Sequence, residues 1–164
     1  MISYAVLGLG SNKGNRLNNI RKAVKEICLI DEFNFIAVSS VYKTEPWGYK
    51  NQTDFLNCVL VCLCRLKPDA VLNKLKSIEL KLGRIKREKW HQREIDIDIL
   101  FFGSNTFRKG NLIIPHPQIQ NRNFVLKPLL ELMPDFIHPV LKKSVKKIYL
   151  SSPDNSKAEF YSSL

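Results

Sequence analysis

The sequence has little of what builds covalent or metal frameworks. Its 164 residues include four cysteines and three histidines, and neither set has the spacing of a zinc ribbon or a histidine-rich centre. Cys28, Cys58, Cys62 and Cys64 are expected as reduced core thiols, the last three inside one apolar, strand-like run. Seven glycines and eight prolines are too few for a collagen-like or low-complexity chain. No apolar run approaches the length of a membrane span. Acidic residues are scarce, 15 against 26 Lys and Arg for a net charge of +11, so the surface attracts polyanions: nucleic acid, phosphorylated small molecules or an acidic membrane. The first residues carry no basic stretch ahead of a long apolar one, so no signal peptide is expected and a cytoplasmic address is the default.

What is present is material for one domain, since 45% of the residues are hydrophobic. Residues 2–9 read as a buried strand, broken by Gly8, Gly10 and Gly14. Leu17, Ile20, Val24, Ile27 and Cys28 follow at helical spacing. Residues 35–44 and 54–66 read as two strands with no room for a helix between them. Pro68 suits the first turn of a helix with an apolar stripe at Val71, Leu72, Leu75, Ile78 and Leu82, and Gly83 suits its end. A basic loop leads to a strand at 95–102. The order is β-α-β-β-α-β, an α+β ferredoxin-like sandwich with two helices on one face of the sheet. C-terminal additions follow: an extended piece near 112–114, a turn at Pro115, His116 and Pro117, a helix at 124–133 and a Lys-rich helical segment after Pro139. Residues 1–150 are expected as one domain and 151–164 as a polar, loose tail.

Arg93, Glu94, Ile95, Asp96, Ile97, Asp98 and Ile99 form the strongest chemical signal. Strand alternation sends the isoleucines one way and Asp96 and Asp98 the other, with Cα atoms about 6.6 Å apart. Two like charges on one face repel unless a cation sits between them, which suits magnesium; the plain alternative is a solvated strand face. The preceding loop sets Lys81, Arg84, Lys86, Arg87, Lys89 and Arg93 against Glu88 alone, with Trp90 among them. It suits phosphate or single-stranded RNA, or it is simply a solvated basic loop. Glu79 shares its helix's apolar stripe, so its sheltered carboxylate needs a partner, an arginine or a ligand. Phe55 and Asn57 share a strand face and could stack and read a flat heterocycle, or serve as core and strand-end polar group. His116, held between prolines near Arg122, suits a phosphate contact or a plain surface turn. Gly8, Gly10 and Gly14 are one residue out of step with a dinucleotide fingerprint, and no Gly-Lys-Ser/Thr follows, so ATP would be held in some other way.

Taken in order, these segments resemble a known family. Gly8 to Asn12, Ser39 to Gly48, Phe55 to Asn57, Ile78 to Leu80 with Gly83 and Arg84, Trp90 to Arg93 leading into Asp96 and Asp98, and Pro115 to Pro117 with Arg122 to Leu129 together resemble 6-hydroxymethyl-7,8-dihydropterin pyrophosphokinase, from residue 3 to about 140. The resemblance implies the same ferredoxin-like fold and transfer of the β,γ-pyrophosphate of ATP to the hydroxymethyl group of the pterin, releasing AMP, in folate biosynthesis. It implies that Asp96 and Asp98 hold two magnesium ions and that Phe55 and Phe124 sandwich the pterin. Thr44, Glu45, Trp47 and Asn57 would read the pterin's edges, with Asp96 nearby. Arg84 and Arg93 would contact the phosphates of ATP and support transfer. Glu79, Lys86, Trp90, Ile99, His116 and Arg122 would contact ATP. His91 and Gln92 stand where the family usually has Gly-Pro, Lys86 where many members have Arg, and Asn111 where some have a nucleotide-contacting Arg. Association with neighbouring folate enzymes is expected, and neither nucleic acid nor membrane. The alternatives are a basic RNA-binding module and a magnesium-dependent phosphodiesterase.

Overall fold

A computed structural model describes residues 2–46, 49–85 and 91–164. Ser3–Ser11 (β1) runs into Arg16–Cys28 (α1), whose first turn is closed by the Asn15 side chain accepting from the Asn18 amide at 3.1 Å. Phe33–Val38 (β2) and Val41–Thr44 (β3) precede the long strand Phe55–Cys64 (β4). Pro68–Lys81 (α2) starts on Pro68, where the missing N–H costs no helical bond, and ends ahead of Gly83 at φ +88°. Asp96–Phe102 (β5), the hairpin Phe107–Lys109 (β6) and Leu112–Ile114 (β7), a 3-10 turn at Ile119–Asn121, the helices Asn123–Leu132 (α3) and Val145–Leu150 (α4), and Ala158–Ser162 (β8) complete the chain.

The main sheet is antiparallel in the order β5-β1-β4-β3-β8, with β2 also on β4, which contains the ferredoxin-like arrangement. Two cores flank it. On one face Leu7, Leu9, Leu60 and Ile97 pack beneath Ile20 and Ile27 of α1 and Val71 and Leu75 of α2. Fully burying each such side chain stabilises the fold by ~1.5–3 kcal/mol. On the other face Val6, Val61, Leu100 and Phe101 pack under Leu126, Leu129, Val145 and Ile148 of α3 and α4. This second layer leaves the end of the sheet near Gly10 uncovered, and the cleft lies there. Among the described residues no helix is long and apolar enough to cross a membrane.

Three expectations change. The strand expected over 35–44 is two strands, because Ser39 Oγ accepts the Val59 amide at 2.9 Å and Glu131 accepts the Ser40 amide at 3.0 Å, which interrupts the ladder. Cys28 is exposed rather than a core thiol, whereas Cys58, Cys62 and Cys64 are buried and free. The residues from 151 onward carry β8, paired to β3, rather than a loose tail.

Candidate functional site

The floor of the cleft is set by two glycines of β1. In register, Gly10 lies between Asn57 of β4 and Asp96 of β5, and Gly8 between Val59 and Asp98. A Cβ on Gly10 would stand 2.8 Å from Asn57 Oδ1, and one on Gly8 3.3 Å from the Leu100 methyl groups. Missing side chains therefore open a lane along the sheet, and the cleft above it holds about 360 Å³. That is enough for a small planar molecule and part of a nucleotide.

One side of the lane is shaped for a flat polar ring. Phe55 and Phe124 both line it, from β4 and from the first turn of α3, and the Arg122 guanidinium stands 5.7 Å from the Phe124 ring centre. Asn57 is 5% exposed. Its Nδ2 donates to Thr44 Oγ1 at 2.8 Å, which turns its carbonyl oxygen toward the lane above Gly10. Thr44 pairs with Phe55 in the ladder, so the aromatic plane and the amide are held by the same two strands. Glu45 lines the rim and is exposed. Trp47 lies outside the described residues.

The other side is a charge network. Glu79 of α2 is 2% exposed. It accepts from the Ile97 amide at 2.7 Å, from Lys76 Nζ at 2.9 and 3.0 Å, and from Arg84. Burial pushes its carboxyl above the usual range and the Lys76 ammonium works against that; two cations and an amide aimed at one group are what an ionised carboxylate requires. Arg84 Nη1 also lies 2.7 Å from Asp96 Oδ1, and Arg93 pairs with Asp96 Oδ2. Burial opposes the Arg84 charge, but Asp96 and Glu79 outweigh it and hold the guanidinium above its ordinary value. Asp98, one pleat along, has its carboxyl raised by burial first and by Asp96 second, against the pull of His116, Lys76 and Arg122. His116 Nδ1 accepts from the Gln118 amide at 3.2 Å, so in the neutral ring the proton sits on Nε2. Burial holds that imidazole below its usual range, partly offset by Asp98.

Among the described residues no group of three or more His, Cys, Asp or Glu could hold a metal ion by itself. Asp96 and Asp98 are therefore half a site. Both carboxylates are half-buried on one strand face, and magnesium is commonly held by one or two carboxylates with the remaining oxygens from phosphate and water. The donor set fits such an ion.

Of the residues singled out from the sequence, the cleft gathers Thr44, Glu45, Phe55, Asn57, Arg84, Arg93, Asp96, Asp98, His116, Arg122 and Phe124. Glu79 stands just behind them, under Arg84. Lys86 and Trp90 lie outside the described residues. The Ile99 side chain is not brought to the cleft: it is 3% exposed and packs in the core beneath α1 and α2. Two residues were given no role from the sequence. Lys76 lines the cleft and clamps Glu79, and the only local sign was its spacing of three from that acid. Asn12, fully buried, accepts the Arg93 amide at 2.8 Å and donates to Gln52 Oε1 at 3.0 Å and the Thr53 carbonyl at 3.2 Å, stitching three loops together.

Residues 6–134 match the family described as 7,8-dihydro-6-hydroxymethylpterin-pyrophosphokinase. The chain belongs to that family. It is 42% identical over 155 residues to the 2-amino-4-hydroxy-6-hydroxymethyldihydropteridine pyrophosphokinase of Aquifex aeolicus, covering 94% of this chain and 93% of the relative. It is 39% identical over 141 residues to the enzyme of that name from Synechocystis, covering 86% and 72%. Among solved structures, Plasmodium falciparum HPPK-DHPS wild type with pteroate superposes with a TM-score of 0.74 at 18% identity, over 92% of this chain and 42% of that one. At that identity the likeness speaks for the fold. The departure at His91 and Gln92 falls within the described residues, where His91 is exposed and its ring stacks on Tyr49 with centroids 6.4 Å apart.

Proposed function

We propose that this chain transfers the β,γ-pyrophosphate of ATP to the hydroxymethyl group of 6-hydroxymethyl-7,8-dihydropterin, releasing AMP; its relatives are named as pyrophosphokinases of that pteridine. The observation that carries the reading is the meeting of two unlike half-sites on one sheet. The aromatic and amide slot of Phe55, Phe124 and Asn57 and the charge network around Asp96 and Asp98 line the same cleft, and Gly10 separates Asn57 from Asp96 by one strand on each side. A surface for RNA would not place an acid pair at its centre, where it repels phosphate.

In this reading the pterin ring lies between Phe55 and Phe124, and Asn57 reads its edge. The hydroxymethyl group then points toward Asp96. His116, Arg122 and Arg93 grip the triphosphate, and Arg84, anchored on Glu79, faces the charge that shifts during transfer. Two magnesium ions, held by Asp96 and Asp98, would screen the triphosphate and align it with the hydroxyl. The arginines that now neutralise Asp96 become available to phosphoryl oxygens as that carboxylate takes up its new partners. The hydroxyl oxygen forms a bond to the β-phosphorus and its proton is released to water. The bridge to the α-phosphate breaks, and AMP leaves with the bonding pair. Association with a second folate enzyme, as in the Plasmodium HPPK-DHPS chains, belongs to the same reading.

The test is AMP production from ATP and magnesium, with and without the pterin, in the wild type and in Asp96→Ala and Asp98→Ala. The expected result is pterin-dependent AMP that each substitution lowers by about 1,000-fold or more, since several kcal/mol of charge stabilisation is lost. Folded variants with unaltered turnover would remove the acid pair from the chemistry.

A further inference from the structure

The segment after α4 is tied to three stretches beside the cleft: the 3-10 turn, the start of α3 and β3. Ser152 Oγ donates to the Gln120 carbonyl at 3.2 Å, in the 3-10 turn between His116 and Arg122. Asp154 Oδ2 accepts from the Asn123 amide at 2.6 Å. Asn123 Nδ2 returns two bonds, to the main-chain carbonyl of Asp154 and, at 3.2 Å, to that of Ser156. The knot is closed internally, for the Asp154 amide donates to Ser152 Oγ at 3.2 Å and Asp154 Oδ1 accepts the Ser156 amide at 2.9 Å. Two residues later β8 begins, with Ala158 opposite Thr44, the residue whose hydroxyl orients Asn57.

These ties do little for the core. On β8, Phe160 is 66% and Tyr161 46% exposed, and no residue beyond Tyr149 belongs to either hydrophobic cluster or packs against it. What the segment does is local. Asn123 is the first residue of α3, between Arg122 and Phe124, and a carboxylate on its amide satisfies one of the N–H groups that a helix start leaves open. Without it the first turn can fray, and Phe124 is in that turn. On the other wall, β8 gives β3 a second partner beside Thr44.

We propose that residues 152–162 are a strap that positions the pterin slot, with Asp154 as its positioning residue. The strap holds Phe124 through the start of α3 and Thr44 through β3, and so sets the gap in which the ring stacks. This rests on the pterin reading of the slot.

The test compares the full-length wild type with Asp154→Ala and Asp154→Asn. With 6-hydroxymethyl-7,8-dihydropterin and ATP as substrates, the pterin KM, the ATP KM, kcat and the melting temperature are measured for each. Asp154→Ala is expected to raise the pterin KM about five- to tenfold, the equivalent of losing a helix cap, while the ATP KM moves by no more than about twofold. Asp154→Asn keeps an acceptor for the Asn123 amide and is expected to return the pterin KM to within about twofold of wild type. If Asp154→Ala proves too unstable to assay, Asn123→Ala, which removes the two return bonds, is read in the same way. An unchanged pterin KM, a parallel rise in both KM values, or an Asn variant no better than Ala overturns the strap while leaving the function intact. A folded wild type that binds no pterin overturns the reading of the slot itself, and the strap proposal with it.

Discussion

Glu79 shows how one side chain organises the cationic wall. It is buried, yet Lys76, Arg84 and the Ile97 amide all donate to it. Its placement was legible in the sequence because Leu72, Leu75 and Leu82 share its stripe. Lys76 was not legible, since a single lysine on a helix looks solvated until β5 is known to pass beside it. Breaking a buried pair from one side leaves its partners uncompensated, so Glu79→Ala should lower stability by about 3 kcal/mol in urea unfolding, with Glu79→Gln costing less. Equal effects from the two would mean that the charge contributes little. Tyr42 offers a pH reading. Its hydroxyl donates to Glu131 at 2.8 Å, and burial first, then that bond, push the phenol from 10.0 up to about 12. The proton is held more tightly in the folded state, so the stabilisation is complete below pH 10.0 and is lost as pH rises toward about 12. The stability gap between wild type and Tyr42→Phe should therefore narrow across that window. A gap that stays constant there would mean the phenol titrates alike in both states.

At the scale of elements, the pattern of the sequence carried the ferredoxin-like order, because each buried strand and each helical stripe reported its own period. Two features escaped it. The break at Ser39 and Ser40 depends on partners from β4 and α3 that are distant in sequence. β8 is short, and nothing local in residues 158–162 reveals that β3 has an open edge to receive it. The lane between β4 and β5 is likewise a property of neighbouring strands, since Gly8 and Gly10 looked like turn glycines until register set them opposite Asn57, Asp96 and Asp98. Gly10→Ala tests the lane. A methyl group there meets Asn57 Oδ1 at 2.8 Å, so the amide must turn away from Thr44. The pterin KM should rise by about tenfold or more, the cost of one lost buried hydrogen bond, while ATP binding changes less. An Ala variant with the wild-type pterin KM would place the ring elsewhere.

For the whole molecule, the net charge of +11 and the half-buried acid pair pull in opposite directions, and a ligand that brings both phosphate and a divalent cation satisfies both. In the proposed function the basic surface would raise the local concentration of such an anion, and the pair would take the metal-bound form. A chelator should therefore stop turnover altogether, whereas added salt should weaken ATP binding only gradually. The most direct test of the central claim is the identity of the nucleotide product. With ATP, magnesium and 6-hydroxymethyl-7,8-dihydropterin, resolved by phosphorus NMR, pyrophosphate transfer gives AMP and a pterin carrying a diphosphate in equal amounts, and neither without the pterin. ADP with a pterin monophosphate, or hydrolysis of ATP at the same rate whether or not pterin is present, would contradict it.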